Sequence, residues 1–371
     1  MCRDFFEFNH FLILHRNFTM KRLHELDYLR GLAATGIMLF HYLSWTLGEF
    51  NSENLVGRVG IYGVSIFYIL SGLTLYHVYN TTLSGSTDAL ASFFKRRVLR
   101  IFPLLWVATI ASIFIFDGGQ ASLREVFLNL TGLFGFVEWQ KGIAIGSWSI
   151  GNELVFYVVF PVFVYLFHKS KLGLAAFSVA VLATFLYFAY FLIDTETSLN
   201  VEQQRSYYCN PFNQLFLFLG GYLVGVLLEH RNFKTWLSVL LIVAGGLLFA
   251  FWPETGDRIR LVGGDTRVAL TASCFLICIG FYKFNLTLPA ILGWPLRTLG
   301  EISYSVYMLH PIVHRLLLYP ADYVRKHYFA VPESVRFMLA VLLTFFVSYF
   351  VYNTFEKFFI RLGKKTPPKA A

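Results

Sequence analysis

Charged residues are scarce in this sequence of 371 residues, since Asp, Glu, Lys and Arg together make up 14% of it. An ordinary soluble domain carries roughly 25% charged residues. Apolar residues reach 56% and aromatic residues 19%. Most of the surface must therefore face an apolar solvent, which excludes a soluble enzyme and a disordered chain.

Cysteine is also scarce, with four residues in the whole sequence. Cys2 is close to the first residue and Cys209 stands alone, so a disulfide framework is excluded. Cys274 and Cys278 lie one helical turn apart in an apolar run. Packing is a far commoner use of such a pair than metal or redox chemistry, and we predict no metal site.

Long apolar runs are abundant, and ten of them approach the roughly 20 residues that cross a bilayer. A backbone in lipid must satisfy its own hydrogen bonds, and the hydrophobicity is continuous rather than alternating, so the runs predict helices and not barrel strands. The sequence predicts an all-α integral membrane protein with about ten transmembrane helices. The predicted spans are residues 29–47, 60–80, 101–117, 143–166, 173–193, 212–229, 235–252, 268–284, 300–320 and 337–355.

The basic residues predict how these spans are oriented. The net charge is +9, and 20 of the 31 Lys and Arg residues fall on the side of the spans that includes both termini. Basic residues accumulate on the cytoplasmic side of membrane proteins, so both termini are predicted to be cytoplasmic. Because the basic residues sit at span ends, we predict contact with membrane lipids and no nucleic-acid partner.

The chain divides into one domain and two short ends. Residues 23–362 contain no linker and no repeat, and they predict a single transmembrane domain. Residues 1–22 predict a cytoplasmic N-terminal extension, because their apolar stretch is too short for a signal peptide. Met20 is an alternative start to Met1. Residues 363–371 are polar and rich in helix breakers, and they predict a disordered cytoplasmic tail.

The first predicted span carries two ionisable residues on one face. Arg30 and His41 are 11 residues apart, which places them on the same side of a helix and about 16 Å apart along its axis. Ionisable groups inside a bilayer are costly and tend to mark a pathway or a site. The structural alternative is that Arg30 extends to lipid headgroups and His41 is a packing residue.

Two further polar stripes occur in the fourth and ninth predicted spans, where side chains three or four residues apart share one helix face. Glu153 lies far from the span ends and needs a partner or a proton, and a clamp to another helix is its structural alternative. His310 precedes Pro311, which frees backbone carbonyls, so a structural role is open for it too. The stripes are Ser149, Glu153 and Tyr157, and Ser303, Tyr307, His310 and His314.

A basic pair lies in the first predicted cytoplasmic loop. Arg97 and Arg100 are three residues apart and project from one helical turn. Guanidinium groups bind phosphate oxygens in a bidentate manner. Lipid headgroups are one source of such phosphates. The location of the pair on the same side of the membrane as Arg30 favours a bound ligand instead.

Four blocks of motif residues are spread over residues 26–311. They are Leu26–Gly31 with His41-Tyr42, Gly63–Gly72 with Arg97 and Arg100, Trp148-Ser149 with Glu153, Phe156, Tyr157 and Pro161, and Gly300–Pro311. Together the blocks resemble the acyltransferase-3 family of multi-pass membrane proteins, which includes polysaccharide O-acetyltransferases. Two departures stand out: Asn152 replaces an acidic residue before Glu153, and Pro311 follows His310 directly. No block resembles the extracytoplasmic esterase-like domain of many relatives, so we expect the membrane domain or a separate partner to handle the acceptor.

The resemblance implies an enzyme of the bacterial inner membrane that moves an acyl group, usually acetyl from acetyl-CoA, to a hydroxyl of a glycan or glycolipid on the far side. It implies that Arg30, Arg97 and Arg100 bind the phosphates of the acyl-CoA. His41 would be a general base or would carry the acyl group itself, and Glu153 would orient its imidazole. Supporting roles fall to Ser149, Tyr157, Ser303, Tyr307 and His310.

A transporter or flippase of a lipid-linked sugar or small anion is the alternative that composition alone allows, because buried charges suit transport as well as chemistry. Two features argue against transport. The sequence shows no inverted repeat, and it shows no pair of interrupted helices in matching halves.

Overall fold

The computed structural model describes residues 24–83, 86–116, 118–196, 199–285, 288–327 and 331–364. Over these ranges the chain is helical and forms no β-strand. The helices are α1 (His24–Leu47), α2 (Leu55–Tyr79), α3 (Thr87–Phe116), α4 (Leu123–Thr131), α5 (Phe134–Val137), α6 (Ser147–Lys169), α7 (Lys171–Tyr187), α8 (Arg205–Tyr208), α9 (Pro211–Leu228), α10 (Thr235–Phe251), α11 (Gly264–Tyr282), α12 (Ala290–Glu301), α13 (Ser303–His327), α14 (Glu333–Val351) and α15 (Lys357–Lys364).

Each of the ten predicted spans coincides with one of the longer helices, so the prediction of an all-α membrane protein is confirmed. Within the described ranges, seven helical segments are long and apolar enough to cross a membrane. α10 is apolar but has 17 residues, and α1 and α13 carry the polar stripes. The number of ten spans and the cytoplasmic location of the termini therefore stay predictions.

Large aromatic side chains on the outside of the helices identify the surrounding medium. Phe114, Phe191, Phe251 and Phe346 are each between 70% and 77% exposed. A protein in water rarely leaves contiguous apolar surface of this kind uncovered. The outer surface is therefore suited to lipid.

Glycines let the central helices approach closely. A Cβ atom on Gly72 of α2 would collide with the backbone carbonyl of Phe218 in α9, and one on Gly221 would collide with that of Ile69. Gly300, in α12, meets the backbone of Asp27 in α1 in the same way. Small residues at such crossings allow backbone-to-backbone packing in lipid, where burial of apolar surface alone gives little driving force. These contacts fix α1 and α2 in the middle of the protein.

α13 lies beside α1 and also packs against α3 and α14. Ala34 and Met38 of α1 meet Ile302 and Val306, close to the start of α13, in a small buried cluster. The Tyr42 hydroxyl donates to the backbone carbonyl of His310 at 2.9 Å. This packing brings the polar stripes of α1 and α13 face to face.

The predicted division into a domain and two ends stays a prediction. Residues 1–22 lie outside the described residues. So does most of the predicted tail, although Gly363 and Lys364 are still part of α15.

Candidate active site

A cavity of about 260 Å³ lies between α1, α2, α3, α6 and α13. We call it the arginine cavity, because Arg30, Arg97 and Arg100 all line it. The structure thus brings together the three arginines that the sequence placed in two separate segments. Its lining is Arg30, Val64, Phe67, Tyr68, Ser71, Thr74, Leu75, Arg97, Arg100, Ile101, Ser149, Ile150, Glu153, Tyr157, Ser303, Tyr304 and Tyr307.

Arg30 is held by α2 and by a residue of its own helix. Its guanidinium donates to the hydroxyl of Thr74 at 2.6 Å and to the backbone carbonyl of Leu70 at 3.3 Å. It also pairs with the carboxylate of Asp27, one turn earlier in α1, at 3.4 Å. The guanidinium of Arg30 points into the protein. This geometry argues against the alternative that Arg30 extends to lipid headgroups.

Arg97 is held by aromatic rings instead of carboxylates. Its guanidinium lies 5.5 Å from the ring centre of Tyr79 and 5.8 Å from that of Tyr157, and it donates to the Tyr79 hydroxyl. Among the described residues no carboxylate pairs with Arg97, and its buried Nε has no hydrogen-bond partner. A half-buried cation with spare donors is suited to an anionic ligand.

Arg100 has an acidic partner that sequence reasoning missed. Glu356, in the turn between α14 and α15, lies 3.7 Å from the Arg100 guanidinium, and its side chain is 2% exposed. The hydroxyl of Ser305 donates to the same carboxylate. An acidic residue directly after the apolar run 337–355 was the available signal. Because Glu356 is buried and paired, it positions Arg100 at the cavity wall.

Not every buried arginine belongs to the site. Arg58 donates to the backbone carbonyls of Ser52, Phe249 and Trp252 at 2.7 to 2.8 Å. With these acceptors it has no need of a ligand, and its role is to join α2 to the end of α10.

Glu153 contacts the arginine cavity and not His41, so the expected orientation of His41 by Glu153 is wrong for this structure. The carboxylate accepts hydrogen bonds from Ser71 at 2.7 Å and from Tyr157 at 2.5 Å. Ser71 is adjacent to Leu70, whose carbonyl binds Arg30, so Glu153 lies at the level of Arg30. His41 is about 16 Å further along α1.

The partner of His41 is His310. The Nδ1 atom of His41 lies 2.9 Å from the Nε2 atom of His310, and the two rings are stacked with centres 5.0 Å apart. His310 is buried, and its Nδ1 lies 3.0 Å from the carbonyl of Val306. We call these two residues the histidine pair.

The hydrogen bonds determine the tautomers of the histidine pair when both rings are neutral. A carbonyl only accepts, so Nδ1 of His310 carries the proton that it donates to Val306. Its Nε2 is then an acceptor, and Nδ1 of His41 must be the donor between the rings. The remaining nitrogen of His41, Nε2, holds a free lone pair. This is the arrangement of a base oriented by a second group.

Tyr307 connects the arginine cavity to the histidine pair. Its hydroxyl lies 2.8 Å from the hydroxyl of Ser149 and donates to the carbonyl of Gly146 at 2.9 Å. Its ring centre is 6.2 Å from that of His310, one turn later in α13. Ser303 lines the same cavity and donates to the carbonyl of Gly300. The two stripes predicted for α6 and α13 therefore meet at the cavity, with His310 just beyond it.

No group of three or more His, Cys, Asp or Glu residues among the described residues is arranged to hold a metal ion. Cys274 and Cys278 are buried, free thiols.

The fold and the site define a multi-pass helical membrane protein with a cationic cavity that ends near a pair of imidazoles, of which that of His310 is buried. The chain belongs to the acyltransferase domain family, whose model matches residues 23–353. The resemblance seen in the four sequence blocks is thereby confirmed, and the protein is placed in the cell membrane.

Three curated relatives illustrate the similarity. The protein YrhL of Bacillus subtilis (strain 168) is 23% identical over 369 residues, covering 90% of this chain and 54% of the relative. The O-acetyltransferase OatA of Staphylococcus aureus (strain NCTC 8325 / PS 47) is 26% identical over 333 residues, covering 81% and 52%. The peptidoglycan O-acetyltransferase OatA of Listeria monocytogenes serovar 1/2a (strain ATCC BAA-679 / EGD-e) is 24% identical over 376 residues, covering 91% and 56%.

The chain spans about half the length of the curated relatives it matches. No solved structure gives a significant match.

Proposed function

We propose that this chain is a membrane O-acetyltransferase that takes an acetyl group from acetyl-CoA on the cytoplasmic side and delivers it to a glycan hydroxyl on the other side. The observation that carries the proposal is the arginine cavity, with three guanidinium groups in its wall and Tyr307 beside the histidine pair. The names of the relatives, both O-acetyltransferases of the OatA type, support the same reaction class.

The donor would bind with its phosphates at the arginines. Arg97 has a buried Nε that bonds to none of the described residues, and Arg100 is held at the wall by Glu356. Bidentate guanidinium groups suit the phosphates of a nucleotide. The uncharged arm of the donor would lie against the apolar part of the lining, which includes Val64, Phe67 and Ile150. The roughly 16 Å from Arg30 to His41 is a span that such an arm has to cover.

The histidine pair would supply the chemistry in one of two ways. As a general base, Nε2 of His41 takes the proton of the acceptor hydroxyl while the hydroxyl oxygen bonds to the acyl carbon. The carbon–sulfur bond breaks, and the thiolate of CoA takes the proton from the imidazolium. As an acyl carrier, Nε2 first bonds to the acyl carbon while the carbon–sulfur bond breaks and CoA leaves as its thiolate. The hydroxyl oxygen then bonds to the acyl carbon, the carbon–nitrogen bond breaks, and the freed Nε2 takes the hydroxyl proton.

His310 would serve both routes as a positioning residue. It accepts the Nδ1–H of His41 and is itself fixed by the carbonyl of Val306. This chain of imidazole, imidazole and carbonyl takes the place that a carboxylate has in a Ser-His-Asp triad. It holds the lone pair at Nε2 of His41 and stabilises the positive charge that forms there.

The acceptor would be a hydroxyl of a cell-envelope glycan or glycolipid at the extracytoplasmic face of a bacterial inner membrane. The relative from Listeria monocytogenes is named as a peptidoglycan O-acetyltransferase, and that supports a polysaccharide acceptor for this chain. Acyl groups other than acetyl, and a separate partner that hands on the acyl group, are compatible with the same cavity.

Purified protein in lipid nanodiscs provides the test. Release of free CoA from acetyl-CoA is measured with a thiol reagent, and acetylated glycan is measured by mass spectrometry. The His41→Ala variant is expected to lose product formation, whereas His230→Ala, which replaces an exposed histidine outside the site, is expected to behave as wild type. Full turnover by His41→Ala contradicts the proposed role. Sugar flux without CoA release identifies a transporter instead.

A further inference from the structure

A second cavity, of about 170 Å³, lies on the opposite side of the histidine pair from the arginine cavity. We call it the outer cavity. α1 lines both cavities, the arginine cavity with Arg30 and the outer cavity with Trp45 and Thr46, and His41 lies between. α13 has the same order, with Tyr307 in one cavity, His314 in the other and His310 between them. On both helices the imidazoles therefore lie between the residues that line the two cavities.

The aromatic side of the outer cavity is continuous with the histidine pair. The ring of Trp45 is stacked on that of His41 with centres 5.4 Å apart, and it lies 4.8 Å from the ring of His314. Trp45 is nevertheless 41% exposed. The Trp45 ring is partly exposed and also contacts His41, the proposed base. It is therefore placed to bind one face of a ligand beside His41.

The polar side of the outer cavity is formed at the start of α14. The guanidinium of Arg336 donates to the carboxylate of Glu333 at 3.3 Å. The Nε atom of Arg336 is buried and has no hydrogen-bond partner among the described residues. Arg336 offers donors and Glu333 offers acceptors at one edge of the cavity, which is the complement of the hydroxyl groups on a sugar ring.

We propose that the outer cavity binds one sugar ring of the acceptor, with the ring face on Trp45 and its hydroxyls on Arg336 and Glu333. This inference rests on the proposed acyl transfer and adds the acceptor subsite to it. At this volume the cavity is smaller than the roughly 300–1,000 Å³ that encloses a drug-sized ligand, so one ring enters and the rest of the glycan stays outside.

The ion pair favours a neutral sugar over a phosphate. Glu333 neutralises most of the charge of Arg336, and a carboxylate within 3.3 Å of the guanidinium repels a phosphate. In the arginine cavity Arg30 and Arg100 also have carboxylate partners, Asp27 and Glu356, but Arg97 pairs with no carboxylate among the described residues and keeps its charge for a phosphate. Each cavity therefore matches one of the two substrates.

The experiment measures sugar binding without any chemistry. Purified protein in nanodiscs is titrated calorimetrically, in the absence of donor, with tetrasaccharides of N-acetylglucosamine and of glucose, and with inorganic phosphate. Leu318→Trp fills the outer cavity, because Leu318 lines it. Leu316→Trp is the matched control on the same helix, since Leu316 is 49% exposed and is not part of the lining.

We expect wild type and Leu316→Trp to bind at least one tetrasaccharide with the same affinity, and Leu318→Trp to bind it at least tenfold more weakly. Arg336→Gln is expected to weaken binding by a similar factor, whereas Arg315→Gln, which removes an arginine stacked on Tyr319, leaves binding unchanged. Both Trp variants must elute as wild type in size-exclusion chromatography.

Three results overturn the inference: neither tetrasaccharide binds wild type, Leu318→Trp binds as tightly as wild type, or phosphate binds more tightly than the sugars and is weakened by Leu318→Trp. The proposed function fails separately. Sugar that binds in the outer cavity but is never acetylated leaves the binding site standing and refutes the acyl transfer.

Discussion

Replacing His310 is the sharpest test of the histidine pair. His310→Phe keeps the volume of a ring and removes both of its hydrogen bonds, at 2.9 Å to His41 and at 3.0 Å to Val306. Val306 still accepts from the backbone of the helix, so the main loss falls on Nδ1–H of His41. A buried donor without its partner costs about 1–3 kcal/mol, which a folded membrane helix bundle tolerates.

The effect on catalysis is expected to be much larger than the effect on stability. Without its acceptor, the neutral His41 ring is free to carry its proton at Nε2, and in that tautomer Nε2 cannot take the proton of the acceptor hydroxyl. Loss of the orienting group in a triad costs up to about 10,000-fold, and general base catalysis as a whole contributes about 100-fold to 10,000-fold. We expect kcat to fall within that range, with the KM for acetyl-CoA unchanged because the arginines are untouched.

The assay is acetyl-CoA turnover in nanodiscs with kcat and KM determined separately. His168→Phe is the matched control, because His168 also bonds a backbone carbonyl, that of Asn80 at 2.7 Å, but lies outside the cavities. His310→Gln offers an acceptor oxygen and is expected to recover part of the rate. A kcat for His310→Phe within twofold of wild type refutes the orienting role, and equal losses for both Phe variants show a purely structural effect.

Two further predictions concern the arginine cavity and the helix crossing. Glu356→Gln removes the ionic partner of Arg100. We expect the KM for acetyl-CoA to rise about tenfold, equivalent to about 1.4 kcal/mol, with little change in kcat. An unchanged KM shows that Glu356 does not position Arg100 for the donor. Gly72→Leu places a side chain against the backbone of Phe218 and is expected to abolish the monodisperse peak in size-exclusion chromatography, and a wild-type elution profile contradicts the close packing of α2 on α9.

Local composition and helical period were enough to predict several features of this protein. Continuous apolar runs decide that segments are helices in lipid, because no other backbone satisfies its hydrogen bonds there. The period of 3.6 residues puts Arg30 and His41 on one face of α1, and it puts Ser149 and Glu153 together on α6. Nothing beyond the segment itself is needed for these statements.

Which of these helix faces meet depends on how the helices pack against one another. His41 and His310 are 269 residues apart in the chain, and their contact depends on how α13 packs beside α1. Sequence reasoning paired His41 with Glu153 because a carboxylate is the commonest partner of a catalytic imidazole, and it had no measure of relative depth. Glu356 was missed for the same reason, since its partner Arg100 belongs to a helix 256 residues earlier in the chain. Helical period fixes the direction in which a side chain points around its own helix axis. The depth of that helix in the membrane, and the helix it packs against, are set by packing between helices.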